Sequence, residues 1–133
     1  MKVLDASVLV EALVDGDLGE QARASIRSSP GWLWAPFVVD AEVGHALRGT
    51  ARRGEASARA AKAALDDLMD MRLERVSHRF LSERAWELRD NLSFYDGLYV
   101  ALAEALEAPL VTLDARLAKA PGVRAEIEVV QAA

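Results

Sequence analysis

The chain has 133 residues, a formal net charge of −5 at pH 7 and no cysteine. That length suits a single domain, spanning 1–133, with a core large enough to need no covalent staples. The missing cysteines exclude a disulfide framework, a thiolate metal site and a cysteine nucleophile, and they point to a reducing, cytoplasmic setting. An acidic balance argues against tight nucleic-acid binding unless the acids are gathered where a cation inverts the local field. No apolar run is long enough to span a bilayer, and acids interrupt the N-terminal stretch before a secretory core could form, so no membrane contact is expected.

Val3-Leu4 is a short apolar run ending at Asp5, and "SVLVEALV" after it has helical spacing. "DGDLGE" breaks the pattern, and "EQARASIRSS" forms a second helix closed by Ser-Ser-Pro-Gly. "WLWAP" is a strand stopped at Pro36, and "VVDAEVGHALRGTARR" is a helix running toward Gly54. Alanine richness makes 56–71 a strong helix. "LERV" is a strand, and "SHRFLSERAWELRDNL" is a helix opening on a serine cap. A helix over 93–106, the buried strand "PLVTL", the short helix "DARLAKA" and the alternating "AEIEVVQ" complete the chain. Short strands alternating with helices predict an α/β fold: a three-layer α/β/α sandwich on a 4–5-stranded parallel sheet.

In such a sheet the working side chains gather beyond the carboxyl ends of the strands. Asp5 and Asp114 each follow a strand, while Glu42 and Asp96 lie in the first turns of helices. Each acid also has a plain structural role available, as a helix cap or a first-turn acid, and Ser93 to Asp96 has capping-box spacing. Together they pose a physical problem, because close carboxylates repel by about 4 kcal/mol per pair at an effective dielectric near 20. A fold that gathers them needs cations between them or protons on some of them. Oxygen donors favour a hard divalent ion, Mg²⁺ or Mn²⁺, and two histidines without thiols do not make a zinc site.

At these residues the chain resembles a known family. "MKVLDASVLVEAL", "APFVVDAEVGHALRG" and "FYDGLYVALAEALEAPLVTLDARLA" look like the motif blocks of PIN domains, and are similar to the VapC-type ribonuclease toxins of bacterial toxin–antitoxin pairs. The resemblance runs over nearly the whole chain in the same order. It implies that the acids of the site are Asp5, Glu42, Asp96 and Asp114, with the hydroxyls of Ser7 and Thr112 supporting them. Asp40 competes with Glu42 but lies two residues away, on another helix face, and matches no acid of the motif. Two positions depart from the family pattern: Leu117 and Ala118 stand where many relatives carry a further acid, and Gly97 stands where a small polar residue is common.

The resemblance implies an Mg²⁺- or Mn²⁺-dependent endoribonuclease that leaves a 5′-phosphate and a 3′-hydroxyl. Asp5 and Asp96 would ligate the ion directly, Asp114 directly or through water, and Glu42 would orient or deprotonate the attacking water. It further implies a homodimer, a VapB-like antitoxin whose tail covers the groove, and higher toxin–antitoxin assemblies. Arg48, Arg52, Arg53, Arg59 and Lys62 form the densest basic stretch and are candidates for the RNA backbone. A solvated helix face is the alternative for each.

Other chemistries fit less well. A haloacid-dehalogenase-type phosphatase needs Asp-x-Asp where this chain has Asp5-Ala6-Ser7, and no downstream lysine is persuasive. A PIN-like binding module without catalysis would not need every acid. Glu42 to His45 is one Glu-x-x-His step, and a di-iron bundle requires a second. No P-loop or dinucleotide fingerprint occurs. The few aromatics, Trp32, Trp34 and Trp86 among them, are expected in the core or at a subunit contact.

Overall fold

Each short apolar run becomes a strand of one parallel sheet in the computed structural model, which describes residues 1–132. The strands are β1 (Lys2–Leu4), β2 (Leu33–Pro36), β3 (Glu74–Val76), β4 (Leu110–Thr112) and β5 (Ile127–Val129). Their order is β3-β2-β1-β4-β5, with every neighbouring pair parallel. Because β2 and β4 flank β1 on opposite sides, the strand order reverses at β1 and β4, the place where such sheets open a crevice. Val3, Leu4, Leu110 and Val111 in those two strands are fully buried.

The helices are α1 (Ala6–Val14), α2 (Gly19–Arg27), α3 (Val38–Arg52), α4 (Ala58–Asp70), α5 (Ser82–Glu87) and α6 (Phe94–Leu106). They pack as two groups flanking the sheet, α1 through α4 together and α5 with α6, which is the expected sandwich. The alanine-rich α4 begins where Ser57 accepts a hydrogen bond from the Ala60 N–H, and it turns Ala61, Ala64 and Leu68 inward. In α6 the Ser93 hydroxyl accepts the Asp96 N–H at 3.0 Å, and Gly97 through Ala103 are all buried. So continuous a buried run explains why the segment shows little amphipathic pattern: α6 touches β1, β2 and β4 as well as α5.

Two elements differ from the sequence reading. The helix expected over "SHRFLSERAWELRDNL" splits into a 3₁₀ turn (His78–Phe80) and the short α5. The His78 imidazole is committed elsewhere: its Nε2 accepts the Val38 N–H at 2.9 Å and so caps α3. The chain turns tightly there, with the Ser82 hydroxyl donating to the His78 carbonyl at 2.6 Å, before Leu81, Ala85 and Leu88 enter the core. "DARLAKA" forms a 3₁₀ helix (Ala115–Lys119) rather than an α-helix, opened by the Asp114 side chain, which accepts the Arg116 N–H. Trp32 and Trp86 are not core residues, being 65% and 61% exposed, and Trp86 carries the Arg89 guanidinium over its ring. Trp34 is half-buried.

The small residue at 97 has a steric cause. A Cβ there would sit 3.1 Å from the Ala85 Cα and 3.2 Å from its Cβ and carbonyl oxygen, so α5 and α6 approach backbone to backbone. Replacing Gly97→Ala should therefore force the two helices apart and cost about 1–3 kcal/mol, measured by denaturant unfolding. An unchanged midpoint would contradict this close contact.

Candidate active site

Asp5 leaves β1 in extended conformation and becomes the N-cap residue of α1, so its side chain emerges at the β1–β4 switch point. Its backbone N–H is held by the Val111 carbonyl of β4 at 3.0 Å. Two hydroxyls converge on one of its oxygens: Thr112 donates to Asp5 Oδ2 at 2.7 Å and Ser7 at 3.1 Å. Both hydroxyls also accept, Thr112 Oγ1 from the Asp114 N–H at 3.0 Å and Ser7 Oγ from the Leu113 N–H at 3.2 Å. The loop after β4 is thereby strapped to the start of α1, and Asp5 Oδ1 accepts no hydrogen bond among the described residues.

Glu42 stands in the second turn of α3. Its Oε1 accepts a 2.7 Å hydrogen bond from the hydroxyl of Tyr99, a residue of α6 that is 1% exposed. Burial, and then the neighbouring Glu42 carboxylate, push the Tyr99 hydroxyl above its ordinary range, so it stays a donor. Asp40 has other work: Arg75 in β3 holds it through Nε and Nη2, the shorter bond at 2.8 Å. That ion pair explains in physical terms why Asp40 and Glu42, though close in sequence, face different tasks.

The carboxylates feel one another. Burial raises the Glu42 carboxyl above its usual range, the Tyr99 hydrogen bond opposes this, and the charges of Asp5 and Asp96 add to the rise. Asp96 is raised by burial and by Asp5, with Ser93 opposing, Asp114 adding and Arg116 opposing. Asp114 moves the other way, because the Arg116 guanidinium beside it favours its ionised form. Asp96 and Asp114 line a cleft of about 420 Å³ with Ser93, Arg116 and Lys119.

As these side chains stand, no three His, Asp or Glu residues among the described residues close into a group able to hold a metal ion. The donor set itself, all carboxylate oxygen with hydroxyl support, is the chemistry that Mg²⁺ or Mn²⁺ accepts. Burial is the main reason the Glu42 and Asp96 carboxyls are raised, and the nearby charge of Asp5 adds to both. Of the five basic residues singled out from sequence, none lines this cleft. Arg48, Arg52 and Arg53 lie in or just past the C-terminal half of α3, Arg59 and Lys62 lie on α4, and all are exposed. Arg53 pairs with Glu55 and Lys62 with Asp66. The cations that do line the cleft, Arg116 and Lys119, were not singled out, although Arg116 stands two residues after Asp114. Tyr99 was likewise hidden within an apolar run.

Two outcomes follow from the electrostatics. Raised carboxyl values mean that the metal-free folded state binds protons more tightly than the unfolded chain. Stability from Glu42 and Asp96 is thus present at low pH and lost as pH rises through the raised values. Asp96→Asn should raise the melting temperature of the metal-free protein near pH 7, with the gain shrinking toward about pH 4, as read by calorimetry. Tyr99→Phe removes a donor that favours ionised Glu42, so the Glu42 carboxyl should titrate higher still, as followed by carbon NMR of the side chain. An unmoved titration would show that the tyrosine does not act on Glu42.

Comparison with known proteins identifies the family. A model of the PIN domain family matches residues 2–123. A Mycobacterium tuberculosis protein named Ribonuclease VapC1 is 46% identical over 131 residues, covering 97% of each chain. Ribonuclease VapC9 of the same species is 39% identical over 130 residues, covering 98% of each. Among solved structures, VapBC2 from Rickettsia felis bound to a promoter DNA fragment has a chain that matches this fold with a TM-score of 0.67 at 16% identity, covering 98% of both. A parallel sheet in the order 3-2-1-4-5 and this extent of sequence identity lead to one assignment: the chain belongs to the PIN-domain family, among its VapC-type members.

Proposed function

We propose that this chain is a metal-dependent endoribonuclease, the toxin of a toxin–antitoxin pair, acting on RNA in the cytoplasm. The observation that carries the reading is Asp5 at the switch point, with one oxygen satisfied by Ser7 and Thr112 and its charge felt by both Glu42 and Asp96. Relatives named ribonucleases at 46% and 39% identity support the reaction class.

Asp5 and Asp96 are the direct ligands in this reading, with Asp114 ligating directly or through water. A bound Mg²⁺ or Mn²⁺ would polarise the scissile phosphate and make a bound water acidic. Glu42, anchored at Oε1 by Tyr99, offers Oε2 to accept the proton of the attacking water. Ser7 and Thr112 keep Asp5 from rotating, so its free oxygen stays aimed. The products are a 5′-phosphate and a 3′-hydroxyl.

The partner in this reading is a VapB-like antitoxin whose tail lies over the cleft, in line with the fold's likeness to a chain of a solved toxin–antitoxin complex. A homodimer is proposed as well. Phe37, Phe80, Trp86 and Tyr95 are each more than half exposed and supply apolar area for association.

The purified chain should cleave RNA with Mg²⁺ or Mn²⁺ and not with chelator. Asp5→Asn and Asp96→Asn should fold and lose nearly all cleavage. In the wild type the metal should raise the melting temperature, and in Asp96→Asn it should not. Equal cleavage by all three proteins would overturn the assignment.

A further inference from the structure

The cleft beside the acids holds a pair of cations, and one of them occupies a proposed ligand completely. Arg116 Nη2 donates to Asp114 Oδ2 at 2.8 Å, while its Nε at 3.0 Å and its backbone N–H at 2.9 Å both reach Oδ1. Both carboxylate oxygens are therefore taken by one residue, a two-pronged grip that only a planar guanidinium makes. The grip is shallow: the Arg116 side chain is 89% exposed, and the Asp114 side chain 28%. At that exposure water and salt screen the pair, so a divalent ion can compete with the guanidinium for the carboxylate. Lys119 lies one helical step further along the same cleft and makes no ion pair among the described residues.

We propose that Arg116 is an exchangeable counter-ion, seated on Asp114 in the metal-free protein and released by the arriving metal to join Lys119 as a phosphate-binding site for the RNA strand. This rests on the ribonuclease reading and adds the strand's path, along the cleft between the start of α6 and the 3₁₀ helix after β4. The physical need is plain: a chain of net charge −5 must bring a polyanion beside its own carboxylates. A divalent ion on Asp114 makes the guanidinium superfluous there. The freed fork then meets a phosphate with the geometry it used for the carboxylate.

The test separates the two roles of Arg116. Mn²⁺ binding is measured by calorimetry without RNA. Binding of a short labelled oligouridylate is measured against salt concentration in Ca²⁺, which fills oxygen sites without supporting rapid cleavage. Arg116→Gln should bind Mn²⁺ about two- to fivefold more tightly, because its competitor for Asp114 is gone. Its slope of log affinity against log salt should be shallower by about 0.7, the loss of one phosphate contact on a single strand. Lys119→Gln should lose a similar slope with unchanged Mn²⁺ affinity. Arg116→Lys should keep the slope while gaining metal affinity.

Weaker or unchanged Mn²⁺ binding in Arg116→Gln, or salt slopes unchanged in both glutamine variants, would overturn the proposal. A wild-type chain that cleaves no RNA would instead defeat the ribonuclease reading, and the Mn²⁺ comparison would still decide whether Arg116 competes for Asp114.

Discussion

Like charges do not gather at one edge of a sheet unless something holds them there, and the way this chain does so organises much of its architecture. Asp5 sits at the strand-order reversal, where β1 and β4 diverge into the rest of the sheet. Its position is secured by backbone and side chain at once, through the Val111 carbonyl and the hydroxyls of Ser7 and Thr112. Glu42 is secured from the far side by Tyr99. Burial raises the proton affinity of Glu42 and Asp96, and the charge of Asp5 adds to both.

The scaffold buries α6 on several sides. Buried residues from Gly97 to Ala103 press it on three strands and on α5, so the first turn bearing Asp96 has little room to drift. The same helix contributes Tyr99, one turn later, which reaches across to α3. One rigid element thus sets two of the acids, Asp96 directly and Glu42 through the tyrosine. α3 is fixed independently at its start by the His78 imidazole. Precision at the site comes from packing and hydrogen bonds far more than from the short strands themselves, each only three or four residues long.

Much of this was legible in the chain. Val3-Leu4 and Leu110-Val111 are apolar runs cut off by polar residues, so the strand ends, and with them Asp5 and Asp114, could be placed at one edge. Helical periodicity separated Glu42 from Asp40, and the Arg75 ion pair is the packing consequence of that separation. Charge clustering in the sequence points to a surface away from this cleft. A run of arginines in sequence does not say which end of a helix faces the cleft, and Arg48 to Arg53 lie in or just past the far half of α3. Arg116 and Lys119, scattered among apolar residues, line the cleft because a 3₁₀ turn folds them back. Tyr99 sat in a run that read only as core, since nothing in local spacing reveals a hydrogen bond spanning 57 positions. The split before α5 was hidden for the same reason: His78 is drawn away by a helix that starts forty residues earlier.

The close contact of Gly97 with Ala85 has a bearing on how such chains can be recombined. Helices that meet backbone to backbone share no adjustable side chains at the crossing, so neither can be re-tuned alone. A segment carrying Asp96 transplanted into a relative with a bulkier residue opposite position 97 would be displaced at its first turn, shifting the acid it was meant to deliver. α5 and α6 therefore behave as one heritable cassette, and functional chimeras should have their junctions before Ser82 or after Leu106, not in the short turn between the two helices.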